Sequence, residues 1–161
     1  MLANFNDLPE TARVWIYQSD KNLNSEQIAF IEEQASEFCA QWAAHGSPLN
    51  SAYKVLHQKF LILAVDEGIN AASGCSIDSS VRFVKALEAR IDVNFFNRTQ
   101  VAFLINDNVY TTDLTAIKSE IIDGKIIPET LTFNLQAQNL AEFSHKWLVP
   151  AQDSWMKRYF K

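Results

Sequence analysis

Glycine and proline are scarce in this chain, with four of each among 161 residues. That scarcity excludes linker-like and low-complexity architectures, which depend on them. Cysteine is rarer still. Two cysteines can form at most one disulfide, too few for a disulfide-stapled secreted scaffold. No CxxC, HExxH or paired Cys/His spacing announces a metal centre, so neither a metal nor another cofactor is expected. The longest apolar run, "FLILAV" (Phe60 to Val65), is far short of the roughly 20 residues that a membrane-spanning helix needs. Basic charge is short as well: 14 Lys and Arg stand against 19 Asp and Glu, a formal net charge of -5, and no basic stripe emerges. Nucleic acid and membrane are therefore not expected as partners. "MLANFNDLPE" offers neither a basic n-region nor an apolar h-region, so the expected location is cytoplasmic.

Apolar and aromatic residues are abundant. Hydrophobic types make up 48% of the chain and include 11 Phe, 4 Trp and 4 Tyr, enough to fill the core of one domain with a small appendage. "ARVWIYQS" (Ala12 to Ser19) reads as a strand. A helix capped by Asn24 or Ser25 follows, with Ile28, Ile31, Ala35, Phe38, Cys39 and Trp42 on one stripe. "HGSP" (His45 to Pro48) is expected to stop it, with Gly46 at C′. "SAYKVLHQKFLILAVDE" predicts two strands joined near His57 to Lys59, the second buried on both faces. A second helix carries Ile77, Val81, Val84, Leu87 and Ile91, and "QVAFLI" (Gln100 to Ile105) is the next strand. After the turn "NDN" come a short strand (Val109 to Thr111), a helix from about Asp113 to Asp123 ending at Gly124, and a strand in "ETLTFN". A helix from Leu140 to Trp147 and a packed tail, "LVPAQDSW", complete the chain.

The order strand, helix, strand, strand, helix, strand is that of the split βαβ. The expected fold is α+β: a ferredoxin-like antiparallel core over 11–106 with both helices on one face, and a C-terminal α/β extension over 107–161. Leu131, Phe133, Phe143, Trp147 and Trp155 of that extension are the natural cover for the opposite face. Any part left open would be a partner or ligand groove, with Trp15, Tyr17 and Trp155 as candidate interaction residues.

Chain direction puts the loop after the first helix and the loop after the third strand at one end of such a sheet. His45, Asp66, Cys75 and Asp78 then share that end, and three readings apply to "AASGCSIDSSVRF". Cys75 at a helix N-terminus could act as a nucleophile or redox thiol, with His45 as base and Asp66 or Asp78 orienting it. Nearby carboxylates, Asp78 and Glu67, oppose thiolate formation. Ser73, Gly74, Cys75 and Ser76 could instead cradle an anion or small ligand with backbone N–H groups. The plainest reading is a capped helix, with Ser76 as N-cap and Asp78 complementing the helix dipole. Cys39, in the middle of an apolar stripe, reads as core.

"ARVWIYQS", "FCAQWAAHG", "SGCSIDSSVRF" and "VPAQDSW" resemble a family of small uncharacterised bacterial proteins, some labelled ABC transporter ATPase. The chain lacks the GxxxxGK[ST] phosphate loop such an activity needs, so ATPase is excluded. The stretch from Val109 to Asn134 is similar to GYF-like interaction domains at Leu114, Ile117, Gly124, Lys125, Ile126, Pro128, Thr130 and Leu131, with "NVYT" in place of their leading Gly-Pro. That similarity implies a protein-interaction role. The expected function is thus a non-catalytic binding or interaction module, taking a protein or a small ligand and able to self-associate. A thiol-dependent enzyme or redox protein built on Cys75 is the alternative.

Overall fold

The computed structural model describes residues 1–161 and shows an α+β fold built from two main antiparallel sheets, a separate two-stranded hairpin and four α-helices. Strand β1 (Arg13–Gln18) leads to helix α1 (Ser25–Gln41). Asn24 starts that helix with a reciprocal cap: its side chain accepts from Gln27 N at 2.8 Å, and Gln27 Oε1 accepts from Asn24 N at 2.9 Å. The helix ends at Gln41, one turn before the expected stop. Ala43–Ala44 (β2) and Ser47–Pro48 (β3) instead form a miniature hairpin. Gly46 takes a positive φ of 79° there as a hairpin-turn residue beside His45 (φ 50°), not as a helix C′.

Strands β4 (Asn50–Leu56) and β5 (Phe60–Asp66) follow, joined by a tight turn in which His57 and Gln58 both have positive φ. Helix α2 (Gly74–Ile91) crosses back and the chain enters β6 (Gln100–Ile105). Beyond it lie β7 (Asn108–Asp113), α3 (Ile117–Ile122), β8 (Leu131–Phe133), α4 (Leu140–Lys146) and β9 (Leu148–Pro150). The helix expected from Asp113 is a turn of 3-10 helix, Leu114–Ala116, running into the short α3. The tail, expected only to pack, contributes a strand of its own, β9.

The first sheet has the order β1-β5-β4, so the first and third strands of the split βαβ are adjacent, as expected. The fourth, β6, departs from the expected pairing. It joins a second sheet ordered β7-β6-β8-β9 and does not pair with β1. The reason is competition for edges. Part of the outer edge of β1 is occupied by the strand-like segment 138–140, where Val14 N donates to Gln138 O at 3.0 Å and Leu140 N donates to Ala12 O at 2.9 Å. β6 meanwhile finds a longer partner in its own hairpin with β7, six residue pairs in register.

Side chains of β5 alternate between two cores. Leu61, Leu63 and Val65 face α1 and α2, together with Ile31, Cys39, Trp42, Val84 and Leu87. Phe38 and Phe83 stack at 4.4 Å and fasten the two helices together. Phe60, Ile62 and Ala64 face the other way, against Phe133, Leu140, Phe143 and Trp147. The C-terminal region therefore covers the sheet face away from the helices. A third, smaller core (Phe103, Ile117, Ile126, Ala151, Met156) lies on the far side of the second sheet. No helix is long and apolar enough to cross a membrane.

Lys59 stands out in this interior at 1% exposure with no ion-pair partner. Burial pushes its pKa below the usual lysine value of 10.5, while the charge of Asp20 pulls the other way. Between the folded-state and unfolded pKa values the unfolded chain binds more protons, so stability rises with pH in that window. Lys59→Met is expected to raise stability at pH 7 and to remove the rise towards pH 10.5. Urea denaturation across pH measures both; a lower midpoint at pH 7 would show that the ammonium is held by a favourable partner.

Candidate functional site

The chain does bring the first group of candidate residues to one end of the molecule. Trp42 Nε1 donates to Ser76 O at 2.9 Å and Asn70 Nδ2 donates to Pro48 O at 2.9 Å, tying the β2–β3 hairpin and the 67–73 loop to the start of α2. The functional groups, however, have structural duties or face solvent. Asp66 accepts from Gly68 N at 2.9 Å and from Asn50 Nδ2 at 3.5 Å, and Glu67 accepts from Ala72 N at 2.8 Å. His45, at the hairpin tip, is exposed, and so are Cys75 and Asp78 on the first turns of α2. No hydrogen bond joins Cys75, His45, Asp66 and Asp78 to one another.

The N-cap is Ser73, three residues before the expected Ser76. Ser73 N donates to Ser76 Oγ at 2.6 Å and Ser76 N donates back to Ser73 Oγ at 3.2 Å, while Ser76 Oγ donates to Ser73 O at 2.8 Å. Ser76 is one turn too late to cap because its amide already belongs to the helix. The hydroxyls of "SGCS" therefore satisfy one another and the helix end. Cys39 is buried, and that burial pushes its thiol up to about 11. Of the aromatics, Trp15 packs on Trp42 at 5.6 Å, Tyr17 is 9% exposed among the helix-facing core residues, and Trp155 is 47% exposed.

A second locality has the shape of a binding site. A cleft of about 540 Å³ opens where the two sheets diverge, between the end of β1, α2, the 95–98 loop and the start of β6. Its walls include Tyr17, Val81, Phe95, Phe96, Arg98 and Gln100. Grooves of about 370 Å³ adjoin it on either side, one along β1 and one reaching Lys146 and Trp155, and all three share Leu135 and Gln136. A volume of this size accommodates a small ligand or a few residues of a peptide.

The cleft is held open by hydrogen bonds from the chain that lines it. Asp20 and Asn94 exchange bonds at 2.8 Å, Phe95 N donates to Glu88 Oε2 at 2.6 Å, and Phe96 N donates to Asn94 Oδ1 at 2.7 Å. Both aromatic rings are thereby presented with the loop already folded: Phe95 is buried at 5% exposure, and Phe96 sits edge-on to Tyr17 at 5.8 Å. The carboxylates of Asp20 and Glu88 are occupied by those amides. Arg98 has no ion pair, and Gln100 Oε1 is buried without a donor. Burial raises the Tyr17 pKa, so the phenol stays neutral. The chemistry on offer is an apolar floor, a cation and amide hydrogen-bonding groups.

Sequence reasoning named Trp15, Tyr17 and Trp155 but missed Phe95, Phe96, Arg98, Gln100, Leu135 and Gln136. The signal lay in "VNFFNRTQ", where two phenylalanines sit between asparagines and an arginine follows, in a connection that needs no aromatic residue of its own. No protein-family model, no curated protein and no solved structure matches this chain.

Iodoacetamide is expected to alkylate one thiol of the folded protein, Cys75, and both thiols after unfolding; mass spectrometry of Cys75→Ala should then find the native protein unlabelled. Ser73→Ala is expected to cost about 1 kcal/mol in urea denaturation through loss of the cap.

Proposed function

We propose that the protein is a non-catalytic binding module whose site is the cleft between its two sheets. The observation that carries this reading is the combination of a preformed, partly apolar cavity with an unpaired arginine and a buried amide oxygen that lacks a donor. The resemblance of Val109 to Asn134 to GYF-like interaction domains supports the same reading. For the thiol-dependent alternative, the support is the shared end of the sheet alone.

The test uses a photo-crosslinking amino acid placed at Leu135, with Ile122, which is 84% exposed on α3, as the control position. Leu135 is expected to give a discrete adduct in cells, Ile122 none, and Arg98→Glu should abolish the adduct while Cys75→Ala leaves it intact. Loss of the adduct with Cys75→Ala, or equal labelling at both positions, would count against the cleft as the site.

A further inference from the structure

We infer that the occupant of the cleft is an extended, acidic segment of a partner protein, which adds to the free edge of β1 as the strand that β6 does not supply. The inference rests on the cleft being the binding site and goes on to specify what enters and how it is held.

The backbone of β1 carries the first part of the argument. Residues of an antiparallel strand alternate the direction in which they present their N–H and C=O groups. Val14 points away from β5, because its N–H donates to Gln138 O. Ile16, two residues on, presents its N–H and C=O to that same outer side. Nothing in the chain meets them there. The segment 138–140 has ended its pairing, and the one hydrogen bond between β1 and β6 runs from Gln18 Nε2 to Gln100 O at 3.3 Å. Ile16 lines both the main cleft and the groove beside it, so this unpaired backbone is part of the site wall. From Val14 to Gln18 the edge spans roughly 13 Å, room for a few residues of an incoming strand. Natural sheets block such edges with proline, glycine bulges or a covering loop. Between Arg13 and Gln18 there is neither proline nor glycine.

Side chains decide the character of the segment. Tyr17, Val81, Phe95 and Phe96 offer an apolar pocket beside the edge, suited to one apolar side chain of the incoming strand. The charged residues lining the cleft and the groove along β1 are Arg98 and Arg13, and neither is in an ion pair. In a chain of net charge -5, this is a local reversal of sign. Asp20 and Glu88, the acids that brace the 94–96 loop, are turned to backbone amides. A strand carrying Asp or Glu on either side of an apolar residue complements both features.

Selection from a phage-displayed library of random dodecapeptides against the full chain supplies the probe, and binding of the selected peptide, resynthesised, is read by fluorescence anisotropy. The expected consensus is an apolar residue flanked by Asp or Glu. Methylating the peptide's backbone nitrogen opposite Ile16, with every side chain kept, should weaken binding about tenfold, the loss of one backbone hydrogen bond. Arg98→Glu should weaken it similarly and be rescued by a peptide with Lys in place of the acid. The Ile16 amide should exchange its hydrogen more slowly in the complex. Neutral or basic consensus peptides, no selected peptide at all, or acidic peptides indifferent to N-methylation at every position would overturn the inference. So would a dimer of the free protein with the Ile16 amide already protected, because a second copy would then hold the edge. None of these outcomes touches the Leu135 crosslink, which fails only if the cleft is not the site.

Discussion

One strand, β5, is buried on both faces, and the rest of the molecule is arranged to satisfy it. Phe60 through Val65 are without solvent exposure. Each large apolar side chain of the six contributes about 1.5–3 kcal/mol when fully buried. A backbone so deep must be paired on both sides, since unpaired buried amides cost as much as a lost hydrogen bond. β1 and β4 meet that need in complete register, which makes them the two edges of the sheet. The outer edge of β4 is met by the first residues of the chain: Ala3 N donates to Ser51 O at 2.7 Å and Ser51 N to Met1 O at 3.0 Å. β1 is covered by 138–140 over its first half only. The open half is where the cleft lies.

Most of the elements were legible in the residues. The twofold apolar composition of "FLILAV" announced a strand buried on both sides, and the stripe from Ile31 through Cys39 to Trp42 announced the helix face that covers it. The role of Phe133, Phe143 and Trp147 as a cover for the opposite face was legible as well, because so many aromatics needed somewhere to go. The pairing of β6 was not. Strand composition gives no sign of which edge a strand will choose, and the choice depended on a three-residue segment, 138–140, whose sequence "QNL" looks like a helix start. The same blindness hid the cleft, which exists because β6 turned to β7.

The stretch "SGCS" admits two readings for a physical reason. Small hydroxyl residues before a helix serve equally for holding an anion and for capping the helix, and sequence cannot separate the two. The separation comes from the partners: Ser73 and Ser76 bond each other, and the carboxylates of Asp66 and Glu67 bond loop amides. Around the cleft the bookkeeping runs the other way, with a cation, an amide oxygen and a strand edge left over. Groups left without a partner mark a site better than groups that merely resemble one.

The two-sided burial of β5 also bears on how the chain emerges from a ribosome. Helix-facing residues Leu61, Leu63 and Val65 can be covered once α2 has been made, by residue 91. Phe60, Ile62 and Ala64 wait for Phe133, Phe143 and Trp147. For more than a third of synthesis the nascent chain therefore carries a folded layer with its other apolar face bare, a form prone to association until the C-terminal segment docks. Release from that vulnerability coincides with the arrival of 138–140 at β1, so completing the protein and shaping the half-open edge of β1 are the same event.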